Sequence, residues 1–408
     1  MLKSFYYKSG IRLIMEKIEG SRSLSLGIWV NTGSSQEESR DFGISHYIEH
    51  MLFKGTMNRT AFEIVNEIDM IGGQQNAFTG KEKTCYFIKV LDEHFKIAAD
   101  VLVDMICNPR FDLTEMEREK LVICEEIKMN SDDPDDVAID NLEKIVYRNT
   151  PMAHPVLGSR ESVMSFTRES VLDYYKSHYT KDNIIISVAG SFDEDEIIDY
   201  FENAFDKLGS KSLPKKEYEL PSSEEVSGYN EVHKDIEQSH LALGIKGIGA
   251  NDDKKIPLRI LNTILGGGMS SRLFQNIREK KGLAYSIHSS LGFNKNSGLF
   301  LIEAGVSNEN VEKTLMSIKE ELDNIHKYKI SDSEINSAKE QIKSTYIFSS
   351  ENVQSRMILN GLTILNDERI LTQDEMLREI DSIKSEDIER VKYIIDNYDN
   401  YSIINVCS

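Results

Sequence analysis

Cysteine is scarce in this chain: Cys85, Cys107, Cys124 and Cys407 are the four among 408 residues, and no Cys-x-x-Cys pair occurs. That spacing argues against both a disulfide framework and a sulfur-rich zinc site, and the role expected of Cys124 is a buried thiol. Long apolar runs are missing too. None approaches the ~20 residues that span a bilayer, so membrane insertion is not expected. The opening stretch MLKSFYYKSGIRLIMEKIEG has no apolar signal core and no small-residue cleavage site, which makes the cytoplasm the expected location. Positive charge is in deficit, with 48 Lys and Arg against 68 Asp and Glu and a formal net charge of −20. Nucleic acid and anionic membrane are disfavoured as partners, whereas basic peptides would suit such a surface. What remains is ordinary for a soluble globular protein, 40% apolar and 28% charged. The length exceeds one compact core and points to two or three domains.

Histidine is also sparse, with nine in the chain, yet two of them sit close together in DFGISHYIEHMLFKGT, residues 41–56. His46 and His50 are four apart and stack on one helical face, with Glu49 beside them. Two such imidazoles reach one zinc ion at about 2.0–2.1 Å and leave a carboxylate next to the metal. That carboxylate is placed to take a proton from an activated water. The order His-x-x-Glu-His is the inverted form of a zinc-protease signature. A bare motif can also arise on an ordinary surface helix. A third protein ligand is needed, and the acidic helical stretch 113–130 offers Glu115, Glu117, Glu119, Glu125 and Glu126. Glu119 and Glu126 share a face, but spacing does not choose between Glu125 and Glu126.

Along the chain, LSLGIWVNTG (24–33) reads as a strand ending in a glycine turn. Thr60, with Glu63 three residues later, caps a second helix that Gly72-Gly73 ends. QQNAFTGKEKTCYFIKVL gives two strands about a Gly80-Lys81 turn. Helices are predicted over 93–107 and 113–130 and from the NSDDPDDVA segment to about Arg148. A buried strand follows at 183–192, with the helix DEDEIIDYFENAFDKL after it. Residues 209–225, polar and aperiodic with two prolines, form the expected linker.

After the linker the order restarts. HLALGIKGIG matches the first strand, IPLRILNTILGG stands where the histidine helix stood, and SLGFNKNSGLFLIEAGV echoes the hairpin. An internal duplication into an α+β fold of two sheet-plus-helices domains is predicted, 1–208 and 226–408. IPLRILNTILGG lacks His and Glu, so only the first domain is expected to hold metal, one ion per chain.

These motifs resemble the pitrilysin/insulinase family of inverted-motif zinc metallopeptidases. The closest likeness is to the mitochondrial processing peptidase β-subunit and its bacterial two-domain homologues, along essentially the whole chain. TGSSQEESRDFGISHYIEHMLFKGT matches almost throughout, as does NAFTGKEKTCYFIKV. The resemblance implies Glu126 of VICEE as third ligand and Glu119 as the residue orienting a ligand histidine. It also implies that Asn76, Ala77 and Thr79 lie on an edge strand that takes extended substrate as an added strand. In LGGGMSSRLFQNIREKKGLAYSI (265–287), it implies that Tyr285 hydrogen-bonds an oxyanion and Arg278 holds substrate carbonyls. Without the family, the same glycine-rich stretch would be a weak phosphate-loop signal lacking GK[ST]. Gly266–Gly268 is shorter than the glycine loop of the processing peptidase α-subunit. His154, Tyr179 and Asn183 also match family positions and read as structural.

The implied activity is a zinc metalloendopeptidase acting on peptides or unfolded segments inside a clam-shell chamber of four such domains. This chain supplies two, so a homodimer is expected. The alternatives are a silent structural subunit and a catalytic subunit that needs an inactive sister chain.

Overall fold

The computed structural model describes residues 2–216 and 218–408. Contacts divide the chain into two compact units. The first takes Met1–Lys128, His154–Glu217 and Phe348–Ile370, and the second Met129–Ala153, Tyr218–Ile347 and Leu371–Ser408.

In the first unit six strands form one sheet: β1 (Leu2–Tyr6), β2 (Arg12–Lys17), β3 (Ser23–Val30), β4 (Gln74–Thr79), β5 (Thr84–Leu91) and β6 (Ile184–Gly190). Their spatial order is β1-β2-β6-β3-β5-β4, and β2–β6 is the parallel pair. The central strand β3 is buried on both faces, and its alternation shows how. Leu24, Leu26, Ile28 and Val30 enter the main core beneath the helices α1 (Ile44–Leu52), α2 (Ala61–Asp69) and α3 (Phe95–Cys107). Trp29 points the other way, into a cluster with Ile14, Cys85, Phe87, Ile185, Met357 and Ile364. Met357 and Ile364 belong to the helix Val353–Leu365, which lies far along the sequence. Close approach explains the glycines at this crossing. A Cβ on Gly27 would meet Met357 Sδ at 2.3 Å, and one on Gly361 would meet Trp29 Nε1 at 2.2 Å. A buried ion pair fastens the same helix. Arg356 donates to both oxygens of Glu16 on β2, and Asn360 Nδ2 adds a bond of 2.8 Å.

The second unit repeats the plan. Its strands are β7 (Gly228–His233), β8 (Ser239–Gly247), β9 (Ala284–Phe293), β10 (Gly298–Val306) and β11 (Ser402–Cys407), in the order β7-β11-β8-β10-β9. This reproduces β2-β6-β3-β5-β4, including the single parallel pair, now β7–β11. Here it is an early segment, the helix Pro134–Val146, that covers one face, and a Cβ on Gly244 would meet Leu142 at 2.6 Å. The correspondence reaches single residues: Gly27 pairs with Ser187, and Gly244 with Ser402. The α+β class with two sheets is as the sequence predicts, while each compact unit also takes a segment from the other half of the chain.

Local predictions hold with adjusted ends. Thr60 and Glu63 form the capping box of α2. The first predicted strand stops at Val30, because residues 34–36 turn into a 3-10 helix. The helix after β6 ends at Phe201, short of the predicted length. Among the described residues no helix is long and apolar enough to cross a membrane.

Candidate metal centre

The histidine helix α1 begins where the chain turns sharply. Gly43, its N-cap, has φ +92°, and a Cβ there would meet the Leu157 carbonyl oxygen at 2.5 Å, so only glycine fits. From this start α1 is buried over nearly its whole length, and its register sends His46, Glu49 and His50 toward one place. The imidazole centroids of His46 and His50 are 4.5 Å apart. The facing helix α4 (Leu113–Asp132) brings Glu126 to them. Glu126 Oε2 lies 3.8 Å from His46 Nε2 and 3.6 Å from His50 Nε2. These separations are too long for hydrogen bonds. They are near the ligand–ligand edge of about 3.4 Å expected for a tetrahedral zinc with bonds of about 2.1 Å. Among the described residues, His46, His50 and Glu126 are the group of three whose donor atoms converge, all within 4.8 Å. Glu125, the neighbour that spacing could not exclude, is exposed.

The surroundings orient this group. Two turns before Glu126, Glu119 is buried, and its Oε1 lies 2.8 Å from His50 Nδ1. Its Oε2 accepts from Lys54 Nζ, also at 2.8 Å. Burial opposes ionisation of Glu119, but hydrogen bonds from His50 and Lys54 outweigh it and hold the carboxyl below its ordinary value. Burial also opposes a charge on His50, yet Glu119, Glu49 and Glu126 together raise its pKa. His46 goes the other way: burial and then the neighbouring His50 drive it down to about 3, leaving a neutral imidazole. Its Nδ1 is buried without a hydrogen-bond partner among the described residues, so packing alone holds that ring. Glu49 is buried, which raises its pKa against the opposing pull of a hydrogen bond donated by the Thr79 hydroxyl.

The other predicted residues fall in two places. Asn76, Ala77 and Thr79 lie on β4, which among the described residues pairs only with β5 and so leaves one edge open. Thr79 also touches Glu49, a contact the sequence did not announce. Arg278 and Tyr285 belong to the second unit. They are neighbours of each other, with the guanidinium carbon 5.9 Å from the Tyr285 ring centre, and Tyr285 is 78% exposed. Structural duties occupy the remaining three. His154 stacks on Phe42, the Tyr179 hydroxyl bonds that of Tyr86 at 2.8 Å, and Asn183 Nδ2 donates to the His178 carbonyl at 2.8 Å. Sequence reasoning missed Lys54, although its spacing of four from His50 was a usable signal. It also missed Glu37. That side chain accepts from the Gly43 N–H at 2.7 Å and the Ser45 N–H at 2.8 Å, and so caps α1 from outside the helix.

Known proteins share both sequence and fold with this chain. Residues 12–160 match the model described as insulinase, peptidase family M16, and residues 165–342 match the peptidase M16 inactive domain. An uncharacterized zinc protease of Bacillus subtilis, YmxG, is 39% identical over 389 residues, 95% of this chain and 93% of that protein. One from Streptomyces coelicolor is 34% identical over 387 residues, 94% of this chain and 84% of the relative. A Helicobacter pylori protease superposes with a TM-score of 0.91 at 21% identity, covering 100% of this chain and 99% of that one. A Candida albicans complex III2 structure gives 0.86 at 17% identity, covering 100% of this chain and 96% of that one, so the two likenesses speak for the fold alone. Identity above a third along nearly the full length of two relatives, with both family models in tandem, makes this chain a member of peptidase family M16.

Proposed function

We propose that the chain is a zinc metallopeptidase hydrolysing peptides or unfolded polypeptide segments. One observation carries the reading: two imidazoles and a carboxylate converge within 4.8 Å, with a buried second carboxylate, Glu49, on the same helix as the imidazoles. His46, His50 and Glu126 would hold the ion, and three protein ligands leave one position open, as hydrolytic zinc sites require. When bound, zinc supplies Lewis acidity, making a water molecule acidic enough to lose its proton near neutral pH.

The remaining steps belong to the chain. Glu49 accepts the water's proton on its carboxylate and delivers it to the nitrogen of the departing amine. The raised pKa of Glu49 suits that exchange, because a base closer to neutrality both takes and returns a proton readily. Thr79 fixes the Glu49 carboxylate through its hydroxyl. The open edge of β4, the strand that carries Asn76 and Ala77, offers backbone donors and acceptors to an extended peptide. Such pairing reads main chain more than side chains, which fits unfolded substrates. Arg278 and Tyr285 we assign to substrate carbonyls and the developing oxyanion, in a homodimer.

The decisive experiment uses the purified chain alone with a basic internally quenched peptide. Cleavage that a chelator abolishes and added zinc restores is the expected result. A chain that binds one zinc yet leaves the peptide intact would overturn the reading in favour of a silent family member.

A further inference from the structure

We propose that Glu37 is a positioning residue for the metal ligands and that Lys216, from the stretch after the first sheet, locks it in place. The proposal rests on the zinc-site reading above and deepens it.

The first turn of any helix presents N–H groups with no partner inside the helix. Most helices here answer with a local side chain, as Thr60, Asp133, Ser159 and Thr167 do for theirs. α1 cannot, because Gly43 at its N-cap has no side chain. Glu37 substitutes from six and eight residues upstream. Its Oε2 accepts from the Gly43 amide and its Oε1 from the Ser45 amide, at 2.7 and 2.8 Å. Ser45 directly precedes His46. Both oxygens of one rigid carboxylate therefore set where the helix starts and, through its register, where His46, Glu49 and His50 point. A carboxylate at this end also meets the positive pole of the helix dipole. Glu37 is only 2% exposed, and burial lifts its carboxyl to about 7 against the pull of the two amides. A buried acid costs stability unless something requires its two acceptor oxygens there.

The loop bearing Glu37 is itself fastened. Lys216 Nζ donates to the Glu37 carbonyl oxygen at 2.5 Å and pairs with the Glu38 carboxylate at 3.1 Å. The Lys216 backbone N–H donates to Gln36 Oε1 at 3.1 Å. The Ser45 hydroxyl meets the Tyr174 hydroxyl at 2.9 Å, so the start of α1 is also tied on its flank. Asp41 adds to the rise of the Glu37 carboxyl, and the Tyr174 hydroxyl is its other titratable neighbour. Glu37 touches neither His46 nor His50 and is placed to act on them only through α1.

The test compares wild type, Glu37→Gln and Lys216→Met as full-length chains. Zinc affinity is measured by competition with a chromogenic chelator, folding by thermal denaturation, and kcat and KM with the quenched peptide. Glutamine matches glutamate in size but turns an N–H donor toward one of the two amides. The expected result is about a tenfold weaker zinc affinity in Glu37→Gln, with kcat reduced and KM unchanged. Lys216→Met, which removes the ammonium that holds Glu37 and Glu38 but keeps the backbone bond to Gln36, should weaken zinc about two- to threefold. Wild-type affinity in a folded Glu37→Gln overturns the proposal. Should that variant fail to fold, unchanged affinity in Lys216→Met overturns it. A wild-type chain that takes up no zinc refutes the metal reading itself and this proposal with it.

Discussion

Replacing Glu119 by glutamine separates two effects that act on His50 in opposite directions. In the wild type, Glu119 Oε1 sits 2.8 Å from His50 Nδ1, which directs Nε2 toward Glu126, and Oε2 is held at 2.8 Å by Lys54. Glutamine of the same length keeps one acceptor but turns its amide N–H₂ toward either the imidazole N–H or the Lys54 ammonium. Orientation and ligand basicity both fall, and substitutions of this kind cost about 10–100-fold in metal affinity, or about 1.4–2.8 kcal/mol. Against this stands proton competition. Glu119 raises the pKa of His50, so in the metal-free wild type His50 keeps its proton to higher pH, and zinc must displace it. The sign follows. The protonated pair with Glu119 stabilises the metal-free state at low pH and is lost as pH rises through the raised pKa of His50. Well above that pKa only the orientation loss remains, and Glu119→Gln should bind zinc about 10–100-fold more weakly than wild type. As pH falls, the variant no longer favours the proton, and the gap between the two should narrow. Chelator competition from pH 6 to 8.5 measures both. A gap absent at high pH, or one that widens as pH falls, would refute the assigned role of Glu119.

Glu49→Gln should retain zinc in metal analysis yet lose activity by about 10²–10⁴-fold, the usual worth of a positioned proton acceptor; near wild-type turnover with zinc bound would remove Glu49 from its role. Equimolar Glu49→Gln and Tyr285→Phe chains, each inactive alone, should regain activity on mixing if subunits complement one another, and no recovery would argue against the dimer. Arg356→Met should destabilise the chain by about 3–5 kcal/mol in urea unfolding, because it strands the buried Glu16 carboxylate, whereas Glu16→Leu with Arg356→Met should recover most of that loss. Glu37 gives a pH signature of its own. Its carboxyl rises from an ordinary 4.5 to about 7, so its stabilising share is complete below 4.5 and is lost as pH rises through 7. That displacement is worth about 3 kcal/mol, so the stability gap between wild type and Glu37→Gln should narrow by that amount between pH 4.5 and 8; a constant gap would mean that Glu37 does not titrate there.

Much of the centre was legible because helical spacing is local information. His46, Glu49 and His50 converge as a period of 3.6 requires, and Glu119 lies two turns before Glu126 on the same face of α4. The hairpin around Gly80, the Thr60–Glu63 cap and the Leu-x-Leu-Gly-Ile echo between β3 and β8 were readable for the same reason. Glu125 and Glu126 could not be separated by the residues alone, since adjacent positions differ only in which face a distant partner buries. Glu37 was hidden because helix-start signals are sought at the N-cap, and there the sequence shows only Gly43. The helices Pro134–Val146 and Val353–Leu365 were hidden differently. An apolar stripe declares that a helix will be covered, not which sheet covers it.

Those two helices bear on how the molecule is made. A ribosome emits the strands of the first sheet by Gly190, but the helix that closes over Trp29 emerges only with Leu365. Until then one side of that sheet carries Ile14, Trp29, Phe87 and Ile185 with nothing from Val353–Leu365 to cover them, and such surface invites aggregation. The nascent chain must therefore keep its early half from misassociating while the late half is synthesised. A protease cut between Gly190 and Val353 would part that sheet face from the helix that covers it.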